Sequence, residues 1–136
     1  MARRPGNRQD GLSRLMRVLI ADDSRLVAER VSAMLAEIDG VEIVGQAESV
    51  PDTREAVRRL KPDVLILDLR MPGGSGLDVL ESLRREGGES VVIVLTNYSF
   101  PQYREKCLKS GARFFFDKSS EFDRVAEVLR GLVGEG

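Results

Sequence analysis

From residue 16 onward, apolar positions follow two alternating rhythms. Short continuous runs rich in Val, Ile and Leu, at 17–22, 41–49, 63–68, 90–97 and 113–118, predict buried strands. After each run the apolar residues recur every three or four positions, which predicts helices over 24–39, 51–60, 76–86, 100–110 and 119–133. In the first helix Val27, Val31, Met34, Leu35 and Ile38 share a face, and Gly40 follows as a stop. Pro51 suits the first turn of the second. Gly87 and Gly88 close the third and Gly111 the fourth. A serine is expected to cap the fifth, whose Phe122, Val125, Ala126, Leu129 and Leu132 lie on one side. The third run, DVLILD, is apolar between its ends, so both faces of that strand should be covered. Strands alternating with helices imply parallel pairing through right-handed crossovers, hence one α/β sheet with helices on both faces.

Composition narrows the chemistry. The chain has 136 residues, 42% hydrophobic and 32% charged, an ordinary balance for one domain with one core. Residues 1–15 carry four Arg against one Asp, which leaves −4 for the remainder at a formal net charge of −1. That stretch lacks periodicity and is expected to be a leader without fixed structure, ahead of a domain over 16–133 and a tail over 134–136. No aromatic residue interleaves with its arginines, so no direct nucleic-acid binding is expected. No apolar run is long enough to span a membrane, and the N-terminus is polar rather than signal-like. The single cysteine, Cys107, rules out an internal disulfide framework and fits a cytoplasmic protein. Histidine is absent, which removes imidazole acid–base chemistry and every Ser–His or Cys–His nucleophile pair.

In a parallel α/β sheet, groups at the carboxyl ends of the strands meet along one rim, where ligands bind. The first strand ends in Asp22 and Asp23, the third in Asp68, the fourth in Thr96 and the fifth in Lys118. Any one of these alone is more often a turn former or a cap, the class to which Asp63, Asp78 and Asp117 are assigned. Together they form a pattern. Two carboxylates about 4 Å apart repel by roughly 4 kcal/mol at an effective dielectric near 20. One lysine offsets one charge, and a hard divalent cation, Mg²⁺ above all, is the natural remedy for the rest. A carboxylate beside Mg²⁺, an ammonium and a hydroxyl suits phosphoryl transfer, with Asp68 as nucleophile. The glycines after it (Gly73, Gly74, Gly76) are expected to let backbone N–H groups approach the phosphoryl oxygens.

Four stretches resemble a response-regulator receiver domain: VLIADDS (18–24), KPDVLILDLRMPGGSGLDVL (61–80), VIVLTN (92–97) and FFFDKS (114–119). The resemblance implies a flavodoxin-like (βα)₅ sheet with strand order 2-1-3-4-5. It implies Mg²⁺, with Mn²⁺ able to substitute, on Asp22, Asp23, Asp68 and the main-chain carbonyl of Arg70. Asp68 would take phosphate from a phosphohistidine on a sensor kinase or phosphotransfer protein, which accounts for the missing histidine. Thr96 and Lys118 match the switch hydroxyl and the phosphate-binding lysine. On phosphorylation Thr96 would move toward the phosphoryl group and Phe115 would turn inward, altering the surface of the fourth helix, fifth strand and fifth helix. The protein would then be a phosphoacceptor rather than a turnover enzyme, a stand-alone chemotaxis-type receiver acting through protein contacts, as a monomer or a weak phosphorylation-dependent dimer.

Two departures from the family pattern stand out. Ser119 follows Lys118 where the family usually has a cis proline, and Phe115 lacks the hydroxyl of the common tyrosine. Arg70 and Tyr98, two residues past Asp68 and Thr96, are bulky and are expected to hinder water attack on an acyl phosphate. Alternatives are a receiver-shaped module that is never phosphorylated and an aspartate-nucleophile phosphatase. The phosphatase needs a second acid where this chain has Arg70. An FMN binder is disfavoured because Asp22 and Asp23 would repel the cofactor's phosphate.

Overall fold

Val64, Leu65, Ile66 and Leu67 are all at most 3% exposed, and they form the central strand of a five-stranded parallel sheet. The computed structural model describes residues 14–135. Its elements run β1 (Met16–Ala21), α1 (Arg25–Leu35), β2 (Val41–Ala47), α2 (Val50–Leu60) and β3 (Val64–Leu67). A two-stranded hairpin follows, β4 (Arg70–Met71) with β5 (Gly74–Ser75). Then come α3 (Gly76–Arg85), β6 (Val91–Thr96), α4 (Pro101–Lys109), β7 (Phe114–Asp117) and α5 (Arg124–Glu135). The sheet order is β2-β1-β3-β6-β7, which is the expected 2-1-3-4-5 once the hairpin is set aside.

The period-two alternation of strand side chains divides the core into two layers. Leu19, Ala21, Leu65, Leu67, Val92, Val94 and Phe115 point to one face, against Val57 of α2, Val79 and Leu80 of α3 and Cys107 of α4. Val18, Ile20, Val64, Ile66, Ile93, Leu95 and Phe116 point to the other, against Val31 and Leu35 of α1 and Val125 and Leu129 of α5. Burying each such large side chain contributes about 1.5–3 kcal/mol, so both faces of the central strand must be covered for the sheet to hold. Among the described residues no helix is long and apolar enough to cross a membrane.

Most boundaries shift by a residue or two from the sequence reading, α5 running to Glu135 into the expected tail, and three differences are informative. Helix α1 stops at Leu35, because Glu37 and Ile38 make tighter bonds to Met34 and Leu35 and lead into Gly40 at φ +90°. Ile38 still reaches the core, 6% exposed, from this turn. Helix α5 starts at Arg124, not 119, and no serine caps it. The N–H groups of Ser119 and Ser120 donate to the Asp117 carboxylate in a turn over 118–120, and i−3 bonds at Arg124, Val125 and Ala126 lead from there into the helix. At the front, Arg14 lies inside the folded part, its guanidinium forked on Asp63 with both contacts at 2.9 Å. The expectation for residues 1–13 of the leader lies outside the described residues.

Candidate functional site

Backbone pairing continues one step past three strands and sets the site residues in place. The Asp22 N–H donates to Ala47 O at 2.9 Å, Asp68 N–H to Ala21 O at 3.0 Å, and Lys118 N–H to Thr96 O at 2.9 Å. Each main chain is thereby fixed where its side chain leaves the sheet for the rim. Asp22 and Asp68 are 5% and 6% exposed, Thr96 is fully buried, and Asp23 faces solvent.

The side chains converge. Carboxylate oxygens of Asp22, Asp23 and Asp68 lie within 4.8 Å of one another. Lys118 reaches across the sheet with Nζ 2.7 Å from Asp22 Oδ2 and 2.9 Å from Asp68 Oδ2. The second oxygens are held too: Asp22 Oδ1 accepts the Ser24 N–H at 2.8 Å, and Asp68 Oδ1 accepts the Leu69 N–H at 2.7 Å. Burial pushes the Asp22 carboxyl above its ordinary range, and the hydrogen bonds from Lys118 and Ser24 only partly offset it. Burial also works against the charged form of Lys118, but the hydrogen bonds to Asp22 and Asp68 outweigh it and hold the ammonium above its usual range. One cation thus bridges two buried anions while a third anion stands beside them. The donors are all hard carboxylate oxygens, partly preorganised and short of positive charge, so the residues present fit a hard divalent ion.

Thr96 sits one strand over, with its Oγ1 accepting the Tyr98 N–H at 3.1 Å. Arg70 and Tyr98, two residues past Asp68 and Thr96, meet each other: Arg70 donates to the Tyr98 hydroxyl at 2.9 Å, and its guanidinium lies 4.8 Å from the ring centroid.

Comparison with known proteins decides the family. The description "Response regulator receiver domain" matches residues 18–130. The chain belongs to the response-regulator receiver family. It is 35% identical over 119 residues to the transcriptional regulatory protein YvfU of Bacillus subtilis, covering 88% of this chain and 60% of that protein. It is 34% identical over 116 residues to the response regulator GacA of Pseudomonas viridiflava, covering 85% of this chain and 54% of that one. It superposes on the response-regulator domain of Thermotoga maritima CheB with a TM-score of 0.77 at 26% identity, covering 90% of this chain and 96% of that one. The chain spans about half to three fifths of the length of the curated relatives it matches.

The segment after Asp68 runs into the β4–β5 hairpin. Gly73, at φ +87°, sits where a Cβ would come 2.7 Å from Pro51, and a Cβ on Gly76 would come 2.6 Å from the main-chain oxygen of Asp68. Gly73 admits close packing of α2 against the hairpin turn and Gly76 of the start of α3 against the end of β3, so they do not need a phosphate to explain them. Phe115 is 4% exposed, among the residues of the core layer that holds Val94 and Cys107. The ring stands in the inward position in this structure. The Lys118–Ser119 peptide bond is trans. The sequence pattern left Asp117 among simple caps and missed that the Ser99 hydroxyl donates to its carboxylate. The signal lay in the register, which pairs Thr96 with Asp117 and so brings the two following loops together.

Proposed function

We propose that this receiver domain accepts a phosphoryl group on Asp68 from the phosphohistidine of a sensor kinase or phosphotransfer protein, and that the acyl phosphate resets a protein-binding surface. The observation that carries the reading is Lys118 clamped between Asp22 and Asp68, with Asp23 alongside. Asp22, Asp23 and Asp68 would hold Mg²⁺ (or Mn²⁺), with the Arg70 main-chain carbonyl as a further ligand by family resemblance. The bound ion would supply positive charge for the equatorial oxygens of the transferring group. An Asp68 oxygen forms the new P–O bond, the P–N bond of the donor breaks, and the electron pair stays on the donor's imidazole, which takes up a proton.

Lys118 is the chain's own cation for the added phosphate. Thr96 Oγ1 accepts from Tyr98, which leaves its O–H proton available for a phosphoryl oxygen. Moving toward that oxygen would release the Tyr98 N–H and shift residues 97–100, the approach to α4. The readout surface is then formed by α4, β7 and α5. Because Phe115 is already inside, the change runs through the loop after Thr96 more than through the aromatic ring. The chain is a phosphoacceptor rather than a turnover enzyme: Arg70, stacked on Tyr98, stands where an aspartate-nucleophile phosphatase carries its general acid. A phosphorylation-dependent weak dimer is compatible with this reading.

Incubation with Mg²⁺ and acetyl phosphate, followed by intact mass, tests it. The expected result is one added phosphoryl group, lost in Asp68→Asn and on chelation of the metal. No uptake by a folded, Mg²⁺-binding chain would contradict the reading, and rapid multiple-turnover release of phosphate would favour the phosphatase.

A further inference from the structure

Three donors converge on one side chain that the reaction itself does not use. Asp117, the last residue of β7, accepts the N–H of Ser119 at 2.7 Å and of Ser120 at 3.0 Å on Oδ1. On Oδ2 it accepts the Ser99 hydroxyl. Its own N–H donates to Glu121 Oε1 at 3.0 Å. These contacts enclose Lys118, whose flexible four-carbon stem must deliver its ammonium between Asp22 and Asp68. The sheet fixes only the Lys118 N–H, through Thr96 O. The turn on the far side is closed by the Asp117 carboxylate. Through Ser99 the same carboxylate grips the loop whose Tyr98 N–H holds the Thr96 hydroxyl.

We propose that Asp117 is a positioning residue for phosphoryl transfer: its carboxylate locks the Lys118 turn and, through Ser99, ties that turn to the Thr96 loop, so the two groups that meet the phosphate are set by one side chain. The inference rests on Asp68 being the acceptor. A helix cap would account for the Ser119 and Ser120 contacts alone. It does not account for Ser99, which comes from another loop, nor for α5 starting only at Arg124.

Lys118 and a metal would draw on the same two carboxylates, Asp22 and Asp68, and this gives a readout that general destabilisation would not produce. A loosened Lys118 competes less for Asp22 and Asp68, so Mg²⁺ should bind more tightly while phosphoryl transfer slows. Asp117→Ala removes every side-chain contact. Asp117→Asn removes the same charge but keeps an acceptor for Ser119 and Ser120 and a polar partner for Ser99. Ser99→Ala cuts only the link between the loops. Phosphorylation by acetyl phosphate is followed by intact mass at saturating Mg²⁺, Mg²⁺ affinity by calorimetry, and folding by circular dichroism. Asp117→Ala is expected to phosphorylate about 10- to 100-fold more slowly than wild type, the scale expected when a catalytic group is misplaced by about an ångström. It should also bind Mg²⁺ more tightly than Asp117→Asn, which should recover most of the rate, with Ser99→Ala falling between.

Asp117→Ala reacting at the wild-type rate would overturn the proposal. So would a variant that loses rate and Mg²⁺ affinity together, which marks a structural role only. If Asp117→Ala does not fold, an unchanged rate in Ser99→Ala overturns it. A wild-type chain that takes no phosphate contradicts the acceptor reading instead, and the positioning of Lys118 is then decided by Mg²⁺ affinity alone, which must be tighter in Asp117→Ala than in Asp117→Asn.

Discussion

Replacing Lys118 with methionine keeps most of the stem and removes the ammonium. In the wild type that group lies 2.7 Å from Asp22 and 2.9 Å from Asp68, with the three side chains 9%, 5% and 7% exposed. Removing one partner of a buried ion pair costs about 3–5 kcal/mol. The carboxylate oxygens lie within 4.8 Å of one another, and two unit charges at that separation repel by about 3.5 kcal/mol at an effective dielectric of 20. The variant can relieve part of this by taking up a proton, which raises a folded-state carboxyl pKa above its unfolded value. Stability from such a group is present below the unfolded pKa and is lost as pH rises through the folded one. Lys118→Met should therefore lose several kcal/mol at about pH 8 and much less at about pH 5. It should also regain more from Mg²⁺ than the wild type does, since a ligand at 100 times its Kd contributes about 2.7 kcal/mol. Urea unfolding followed by circular dichroism, with and without Mg²⁺ at both pH values, measures all of this. A variant within about 0.5 kcal/mol of wild type at neutral pH, the range of an ordinary surface substitution, and equally stabilised by Mg²⁺, would refute the idea that Lys118 neutralises this cluster.

Three further outcomes are expected. Replacing both Arg70 and Tyr98 with serine removes this bulky contacting pair, so the acyl phosphate should hydrolyse faster while Mg²⁺ affinity holds; an unchanged lifetime removes the shielding role. Cys107, fully buried and with its thiol pushed up to about 11 by burial, should resist iodoacetamide in the native protein and react once in urea; rapid native labelling would mean that α4 is not docked as described. Hydrogen bonds from Arg58 and Ser82 hold the Glu86 carboxyl down from 4.5 to about 2, so its contribution is present above the unfolded value and is lost as pH falls through that range. Glu86→Gln should make the acid limb of the stability curve shallower there, and an unaltered limb would contradict the pairing.

The parts legible in the sequence were those where local pattern and topology agree. Four buried residues between two aspartates could only be an interior strand, and parallel connections then send Asp22, Asp68, Thr96 and Lys118 to the same rim. What escaped depended on partners distant along the chain. Gly73 exists for Pro51 and Gly76 for the backbone of Asp68, neither of which a glycine count reveals. The start of α5 was misplaced because the chain after Asp117 makes a capped turn and then i−3 bonds at Arg124, Val125 and Ala126 before the helix proper, a detail the apolar spacing does not encode. The Ser99–Asp117 bond needed the β6–β7 register before it could be seen.

The most direct measurement locates the phosphoryl group. Phosphorylated protein is reduced with borohydride, which converts an acyl phosphate to the corresponding alcohol, then digested and sequenced by mass spectrometry. The account predicts homoserine at position 68 and nowhere else, dependent on Mg²⁺. Reduction at Asp22 or Asp23, or phosphate found on a serine or threonine with Asp68 intact, would contradict it.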